Sequence, residues 1–213
     1  MSRGVRITGG AWRGRTAMVP AGARPTEGRV REALFSIWCD RLAGCRFLDL
    51  FAGSGVVGLE AASRGAGSVL CVDQDAQAVR AIAAIRWPGG AAPATVEARC
   101  LALPAGLGSL AARTARTGPV AGGPKRAAAG ATGFDLVFAD PPYSFEEFEP
   151  LLLALPPLLA AGGEVAVEHS ARRTLPASAG PLAQTDLRRY GESAVAFYRS
   201  PLGTPIRATS AAS

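Results

Sequence analysis

Four consecutive residues, Asp140-Pro141-Pro142-Tyr143, could hold and activate an amine at the end of an apolar segment. The Asp140 carboxylate and the Pro141 carbonyl can accept the two hydrogens of an amino group, which draws the nitrogen lone pair towards an incoming carbon. The prolines stiffen the backbone, and the Tyr143 ring can stack on a base that has left its helix. The alternative is a proline-terminated strand followed by a helix cap.

A second group, Gly53-x-Gly55-x-x-Gly58, follows an earlier apolar segment. Glycines permit a tight turn and a close approach of a ligand, and the helix that follows offers free backbone amides. Asp73 comes twenty residues after Gly53, at the end of the next predicted strand, where a carboxylate can accept hydrogen bonds from ribose hydroxyls. The pattern predicts a bound nucleoside, with a ligand-free tight turn as the alternative.

Asp49 helps to distinguish two nucleoside ligands that lie across such sheets, NAD and S-adenosylmethionine. It lies inside the strand, four residues before Gly53. A carboxylate there repels a pyrophosphate but suits the positive amino group and sulfonium of S-adenosylmethionine. The alternative is a carboxylate that caps nearby backbone amides.

These residues must be positioned by a sheet. Apolar strands are predicted at 46–52, 68–73, 94–100, 134–140 and 163–170, with helices after the first, second and fourth, and two strand-like pieces follow within 184–200. Continuous apolar strands that alternate with helices indicate a parallel sheet covered on both faces. We therefore predict an α/β, Rossmann-like domain over residues 46–200, with a doubly wound, mostly parallel, seven-stranded sheet. Its first and fourth strands should be neighbours, so Asp140 should face the crevice beside Gly53.

The first 45 residues are predicted to form a basic extension. A hairpin is expected within 1–20, and a helix from Thr26 to Leu42 with an apolar stripe of Val30, Leu34, Ile37 and Trp38. The whole chain carries a net charge of +6, and residues 1–46 contain nine arginines against three acidic residues. Such a basic end favours contact with a polyanion, although an arginine-rich composition explains part of the excess. The arginines on the wet face of the helix would be Arg24, Arg29 and Arg31.

Composition also limits the regions of order, the metal or disulfide sites and the cellular location that can be expected for the chain. Nineteen of the thirty residues in 104–133 are Ala, Gly or Pro, so we expect a disordered insertion there and a loose tail at 201–213. The four cysteines form no C-x-x-C pair and there is one histidine, which argues against disulfides or a metal site. No apolar run reaches membrane-spanning length and no secretory signal is recognisable, so a cytoplasmic protein without a membrane partner is expected.

Five segments together resemble the RsmD-type enzymes, which methylate the N2 amine of a guanine in 16S ribosomal RNA with S-adenosylmethionine. They are RITGGAWRGR (6–15), RPTEGRVREALF (24–35), FLDLFAGSGVVGLEAASRGA (47–66), DPPY (140–143) and RYGESAVAFY (189–198). The resemblance implies a class I methyltransferase fold, 16S rRNA or the assembling small subunit as partner, no metal, and a monomer.

The resemblance also assigns roles to matching positions. Catalysis would be carried by Asp140, Pro141, Pro142 and Tyr143. The methyl donor would be bound by Thr26, Asp49, Phe51, Ala52, Gly53, Ser54, Gly55, Asp73 and Cys100. RNA would be contacted by Arg6, Arg13, Arg15, Arg24, Arg29 and Arg31. Cys100 departs from the family, which has Asp or Asn where the adenine amine is met.

Three competing functions remain open. Asp49 and the Asp-Pro-Pro-Tyr segment speak against an NAD-dependent oxidoreductase. The intact segment also speaks against a binding module without turnover. A DNA or RNA adenine-N6 methyltransferase is the nearest alternative, because the Asp-Pro-Pro-Tyr motif is shared with enzymes that methylate adenine.

Overall fold

The computed structural model describes residues 4–18, 28–85, 94–117 and 133–200. The strands are β1 (Gly4–Arg6), β2 (Thr16–Met18), β3 (Arg46–Leu50), β4 (Ser68–Asp73), β5 (Thr95–Cys100), β6 (Phe134–Ala139), β7 (Leu159–Ser170), β8 (Ser178–Ala179), β9 (Leu182–Tyr190) and β10 (Ser193–Arg199). The helices are α1 (Gly28–Ile37), α2 (Val56–Ser63), α3 (Ala76–Ala83), α4 (Leu107–Thr117) and α5 (Phe148–Ala154). Strands and helices alternate from β3 to β7, as the sequence predicts except for α4 between β5 and β6.

The central sheet has eight strands in the order β5-β4-β3-β6-β7-β10-β9-β8. Strands β3 to β7 pair in parallel, whereas β8, β9 and β10 pair antiparallel. The doubly wound sheet and the antiparallel pair at its end are therefore confirmed. The eighth strand, β8, was not predicted because a strand of two residues leaves no periodicity to detect.

The chain reverses its direction of winding between β3 and β6. It runs outward from β3 through β4 to β5 and then returns to place β6 on the other side of β3. The carboxyl ends of these two strands consequently open a crevice at the switch point, where ligands bind in this class of sheet. Leu50 lies opposite Ala139 in the register, so the residues that follow each strand are neighbours.

Alternate side chains of the strands enter separate apolar layers on the two faces of the sheet. Phe47 and Phe138 pack with residues of α1 and α2 on one face. Leu48 and Val137 pack with residues of α4 and α5 on the other. A parallel strand buried on both sides needs apolar residues at nearly every position, which is the pattern of β3 and β6.

Helix α1 begins at Gly28 and ends at Ile37, and a 3₁₀ turn follows at Cys39–Arg41. Val30, Leu34 and Trp38 are buried, as the apolar stripe predicts. Ile37 is 42% exposed, so its place in the stripe was wrong, and Phe35 is buried instead. Each large apolar side chain buried here stabilises the docking of the extension by about 1.5–3 kcal/mol.

Glu60 in α2 connects the N-terminal extension to the domain. Its side chain is 0% exposed and accepts hydrogen bonds from Arg31 Nε at 2.7 Å, from Arg64 Nη2 at 2.7 Å and from the Thr8 hydroxyl. Arg31 also donates to the carbonyl of Arg6. Arg31 is only 3% exposed, so its predicted place on a wet, RNA-facing surface was wrong. A buried arginine at this position satisfies a buried carboxylate rather than an external phosphate.

A second buried carboxylate, Glu164 at the centre of β7, anchors the C-terminal end of α1. It accepts a hydrogen bond of 2.6 Å from Trp38 Nε1 and one of 2.8 Å from Arg41 Nη1, and it also pairs with Arg199 in β10. The α1 helix and the following turn are thus held by charged hydrogen bonds to α2 near the start and to β7 near the end, and such bonds are stronger than neutral ones.

Part of the predicted disordered insertion is helical. Helix α4 spans Leu107–Thr117, and Leu107 and Leu110 are buried against the face that carries α5. The prediction was therefore wrong for this portion, because the two leucines one helical turn apart outweigh the surrounding Ala and Gly. Residues 118–132, the tail 201–213, and Arg24 and Thr26 lie outside the described residues. No helix in the described ranges is long and apolar enough to cross a membrane.

Candidate active site

The glycine turn between β3 and α2 uses backbone conformations that favour glycine. Gly53 has φ of 51° and Gly55 has φ of 72°. A Cβ on Gly55 would lie 2.8 Å from Ile82, whereas a Cβ on Gly53 would meet nothing closer than a backbone oxygen at 4.0 Å. Gly55 is therefore required for packing on α3, and Gly53 leaves the backbone open to a ligand.

The third glycine of the pattern, Gly58, allows α2 to lie close to the sheet. A Cβ there would approach Cys71 Sγ to 2.6 Å and Asp49 Oδ2 to 3.2 Å. This close helix–strand packing is the usual reason for a third glycine in such a turn. Ser54, between the first two glycines, is buried, whereas Phe51 and Ala52 are partly exposed at the start of the bend.

Asp73 braces the turn from the neighbouring strand. Its Oδ2 accepts a hydrogen bond of 2.7 Å from the Gly53 amide, and its Oδ1 accepts one of 2.8 Å from the Asp75 amide. A carboxylate has about four lone-pair sites, so capacity remains for a ligand hydroxyl. Cys100 lies opposite Asp73 in the register at the end of β5, where it is exposed and its thiol contacts the Gln74 carbonyl at 3.4 Å.

Asp49 is buried beneath the bend. It is 2% exposed, and its Oδ2 accepts a hydrogen bond of 2.9 Å from the Gly58 amide, which is the capping arrangement that the sequence left open. Burial raises the pKa of Asp49 well above its usual range, the Gly58 hydrogen bond opposes this, and the charges of Asp140 and Asp73 raise it further. Three carboxyl groups thus converge at one edge of the sheet, and the charges of Asp140 and Asp73 give that edge a negative potential.

The Asp-Pro-Pro-Tyr corner lies directly beside the glycine turn. The Asp140 amide donates to the Leu50 carbonyl at 3.4 Å, which continues the β3–β6 pairing past the last strand residue. Pro141 is buried and Pro142 is exposed. Tyr143 is 55% exposed, so much of its ring faces solvent beside the corner. The sequence therefore predicted correctly that these two motifs meet.

A row of aromatic rings connects the two motifs. Phe51 in the glycine turn meets Phe145 edge to face with ring centroids 5.1 Å apart, and Phe145 meets Phe148 in the same way at 5.1 Å. Phe51 has a φ of 58°, which is rare for a residue other than glycine. Phe51 was predicted to lie at the donor site and Phe145 was not, because no residue pattern identifies the second ring.

The arginines predicted to contact RNA are distributed unevenly. Arg6, Arg13, Arg15 and Arg29 are exposed, whereas Arg31 is buried in its ion pair with Glu60.

Among the described residues, no group of three or more His, Cys, Asp or Glu side chains is arranged to hold a metal ion. His169 lies near the end of β7, where burial lowers its pKa and its Nδ1 is 2.9 Å from the Ser170 carbonyl.

Sequence reasoning missed a groove next to the corner. It has a volume of about 560 Å³ and is lined by Tyr143, Ser170, Arg172, Arg173 and Glu192. The paired arginines directly after the fifth predicted strand were the available signal, but they could not be placed beside Tyr143 without the sheet order.

Comparison with known proteins identifies a matching family model and relatives that are named as rRNA methyltransferases. A family model described as "Conserved hypothetical protein 95" matches residues 5–85 and 120–199. YlbH of Bacillus subtilis (strain 168), provisionally named an rRNA methyltransferase, is 31% identical over 92% of this chain and 98% of its own length. Ribosomal RNA small subunit methyltransferase D of Escherichia coli (strain K12) is 48% identical over 33% of this chain and 37% of its own.

The fold has a solved relative as well. The structure of yhhF from Escherichia coli, provisionally named a methyltransferase, matches with a TM-score of 0.71 and 27% identity over 94% of this chain and 99% of that one.

Proposed function

We propose that this chain transfers a methyl group to the N2 amine of a guanine in 16S ribosomal RNA. The chain belongs to the family described as Conserved hypothetical protein 95, the RsmD-type methyltransferases. The observation that carries this proposal is the meeting of the glycine turn and the Asp-Pro-Pro-Tyr corner across β3 and β6. The first motif suits a nucleoside donor and the second suits an amine acceptor.

The site fits S-adenosylmethionine better than a dinucleotide. The acidic groups that raise the pKa of Asp49, namely Asp140 and Asp73, give the crevice a negative potential. That potential attracts a sulfonium and an ammonium group and repels a pyrophosphate. When bound, S-adenosylmethionine supplies a methyl group that is already activated by its positively charged sulfur.

The residues of the glycine turn would bind this donor. The open face of Gly53 and the bend through Phe51, Ala52, Ser54 and Gly55 would lie against it. Asp73, at the end of β4, would accept hydrogen bonds from the ribose hydroxyls with the lone pairs that Gly53 and Asp75 leave available. Asp49 would act from beneath by holding the start of α2 through Gly58, and Cys100 would border the adenine.

The corner would orient and activate the guanine. The Asp140 carboxylate and the Pro141 carbonyl would accept the two N2 hydrogens, which increases the electron density of a nitrogen that is otherwise conjugated with the ring. The N–C bond forms as the C–S bond breaks, the sulfur takes the bonding pair, and the nitrogen then loses a proton to solvent. The exposed ring of Tyr143 would stack on the base and hold it in line.

The basic extension would hold the RNA backbone. Arg6, Arg13, Arg15 and Arg29 are exposed on the extension, which is anchored to α2 by Glu60 and so is fixed relative to the crevice. Arg24, outside the described residues, stays a prediction.

A product analysis tests the proposal. Small ribosomal subunits from a bacterial strain lacking this methylation would be incubated with the protein and radiolabelled S-adenosylmethionine, and the RNA digested to nucleosides. We expect label in N2-methylguanosine. Label in N6-methyladenosine, or none in RNA while the protein binds NAD, would overturn it.

A further inference from the structure

The groove beside the Asp-Pro-Pro-Tyr corner is lined by one aromatic ring and by polar and charged side chains. The ring is that of Tyr143, and the other lining residues are Ser170, Arg172, Arg173 and Glu192. Its volume of about 560 Å³ is in the range of sites that hold a drug-sized ligand, which exceeds the needs of a single phosphate. The proposed mechanism uses the Tyr143 ring but none of the groove's charged residues.

The sheet explains why these residues lie together. Strand β6 leads into the corner and the parallel neighbour β7 ends at Ser170, so both open at the same edge. Strand β10 runs antiparallel to β7 and starts at Ser193, which brings the β9–β10 turn with Glu192 to that edge. The groove is therefore a continuation of the crevice away from the donor side.

The turn that carries the arginines has a well-fixed backbone. The Ala171 amide donates to the Glu192 carbonyl at 2.7 Å, the Ala171 carbonyl accepts from Arg189 Nη1 at 2.8 Å, and the Arg173 amide donates to the Ser170 carbonyl at 2.9 Å. Arg173 is also held over the Phe148 ring at 5.2 Å, at the end of the aromatic row that begins at Phe51. The arginines are therefore presented from a preorganised support, which lowers the entropic cost of binding.

The side chain of Arg172 is not needed by the fold. It is 88% exposed and its contact with Glu192, itself 85% exposed, is 3.5 Å long. An ion pair of this kind adds little to stability and can be exchanged for another anion. The contact of Arg173 with Glu146 is also long, at 3.9 Å. The two guanidinium groups are thus available to a stronger anionic partner, and guanidinium groups bind phosphate oxygens in a bidentate way.

We propose that this groove binds the RNA strand next to the target guanosine, with Arg172 and Arg173 contacting the phosphates that flank the flipped nucleotide and Glu192 holding Arg172 in place until RNA displaces it. The inference rests on the proposed function, since it needs an RNA substrate at the corner. It identifies Arg172 and Arg173 as RNA-positioning residues.

The test compares variants of the full chain in methylation of unmethylated small ribosomal subunits. We expect Arg172→Ala to raise KM for the subunits by roughly three- to tenfold, and Arg172→Glu to raise it further, while kcat and KM for S-adenosylmethionine stay within twofold of wild type. Glu192→Gln should lower KM for the subunits, because it removes the competing anion. Arg172 and Glu192 form one weak ion pair, so damage to the fold would not raise KM for the subunits in one variant and lower it in the other.

Arg80→Ala provides the matched control. Arg80 is an exposed arginine on α3, which follows β4, and β4 is three positions from β7 in the sheet. Its removal changes the net charge equally and should leave KM for the subunits unchanged. If Arg172→Ala matches Arg80→Ala, or if Glu192→Gln raises KM, the groove does not bind RNA.

A binding measurement separates this inference from the proposed function. Filter binding of transcribed 16S rRNA at several salt concentrations should show a log–log salt slope smaller by about one for Arg172→Ala than for wild type. Wild-type protein that fails to methylate subunits refutes the proposed function. An unchanged salt slope in Arg172→Ala, with wild-type methylation intact, refutes the groove alone.

Discussion

The ring of Phe51 meets the ring of Phe145 edge to face at 5.1 Å, and this contact joins the glycine turn to the segment that follows the Asp-Pro-Pro-Tyr corner. Phe51 holds a positive φ of 58°, a conformation that costs a non-glycine residue on the order of 1–3 kcal/mol unless its surroundings impose it. Phe145 supplies part of those surroundings and is itself supported by Phe148. The spacing of the two motifs, and with it the distance between the proposed donor and acceptor sites, thus depends on this packing as well as on the β3–β6 pairing.

The first prediction concerns this contact. Replacing Phe145 with Ala removes the ring that spaces the two motifs, and a misplacement of about 1 Å between reacting groups can lower a rate about a hundredfold. We expect Phe145→Ala to lower the single-turnover methylation rate by roughly ten- to a hundredfold, with a smaller change in the Kd for S-adenosylmethionine. Leu153→Ala is the control, because Leu153 is 50% exposed on α5. A wild-type rate in Phe145→Ala would show that the backbone pairing alone sets the geometry.

The second prediction concerns the acceptor at the reacting centre. Asp140 follows β6 and would accept a hydrogen of the guanine amine, so its removal takes away a transition-state interaction while the glycine turn remains. We expect Asp140→Ala to lower kcat by about 10²–10³-fold and to weaken donor binding by a much smaller factor, because Asp73 and the glycine turn remain. Glu147→Ala, in the exposed segment before α5, should retain activity. Isothermal calorimetry with the donor and rapid-quench methylation assays measure the two effects. Retained turnover in Asp140→Ala would remove this residue from the mechanism.

The third prediction concerns the anchor of the basic extension. Glu60 is fully buried and its carboxylate compensates the equally buried Arg31. Glu60→Gln leaves that guanidinium without its counter-charge, and breaking a buried pair in this way costs about 3–5 kcal/mol. In a chain of this size we expect the melting temperature to fall by roughly 6–20 °C. Calorimetry would compare it with Glu97→Gln, which breaks a half-exposed pair with Arg99 and should shift the melting temperature little.

The central part of the fold could be predicted because each element carried its own signal. The apolar runs of β3 and β6 and the glycines at 53, 55 and 58 are local features, and the strand order of a doubly wound sheet then places Asp140 next to Gly53. The position of Asp73 at the end of β4 followed from the same reasoning.

The features that were missed depend on contacts between distant residues. Arg31 lies at an ordinary surface position of a helix by its spacing, and only the fold shows that Glu60, 29 residues later, draws it inside. Ile37 is exposed because Trp38, which bonds to Glu164 in β7, takes the place against the sheet. The groove of Arg172 and Arg173 unites three loops that no periodicity connects. Side-chain pairing across the sheet is thus what the sequence leaves undetermined.

The fourth prediction concerns the pH dependence of stability through Asp49. Burial is the largest cause that raises its pKa in the native state, and the charges of Asp140 and Asp73 add to it. The native state therefore holds a proton that the unfolded chain releases at a lower pH. The stability that Asp49 contributes in this way is fully present below the unfolded value of about 3.9, and it is lost as the pH rises towards the native pKa.

Asp49→Asn isolates this contribution, since asparagine keeps an oxygen that can accept the Gly58 hydrogen bond and has no proton to release. We expect the unfolding free energy of wild type minus that of the variant to fall with rising pH, by at most about 1.4 kcal/mol per pH unit within that window. Urea unfolding of both proteins from pH 4 to pH 8 measures this difference, and other titrating groups largely cancel in it. A difference that stays constant across this range would mean that Asp49 is charged in the native state, and that its burial is offset by the Gly58 amide.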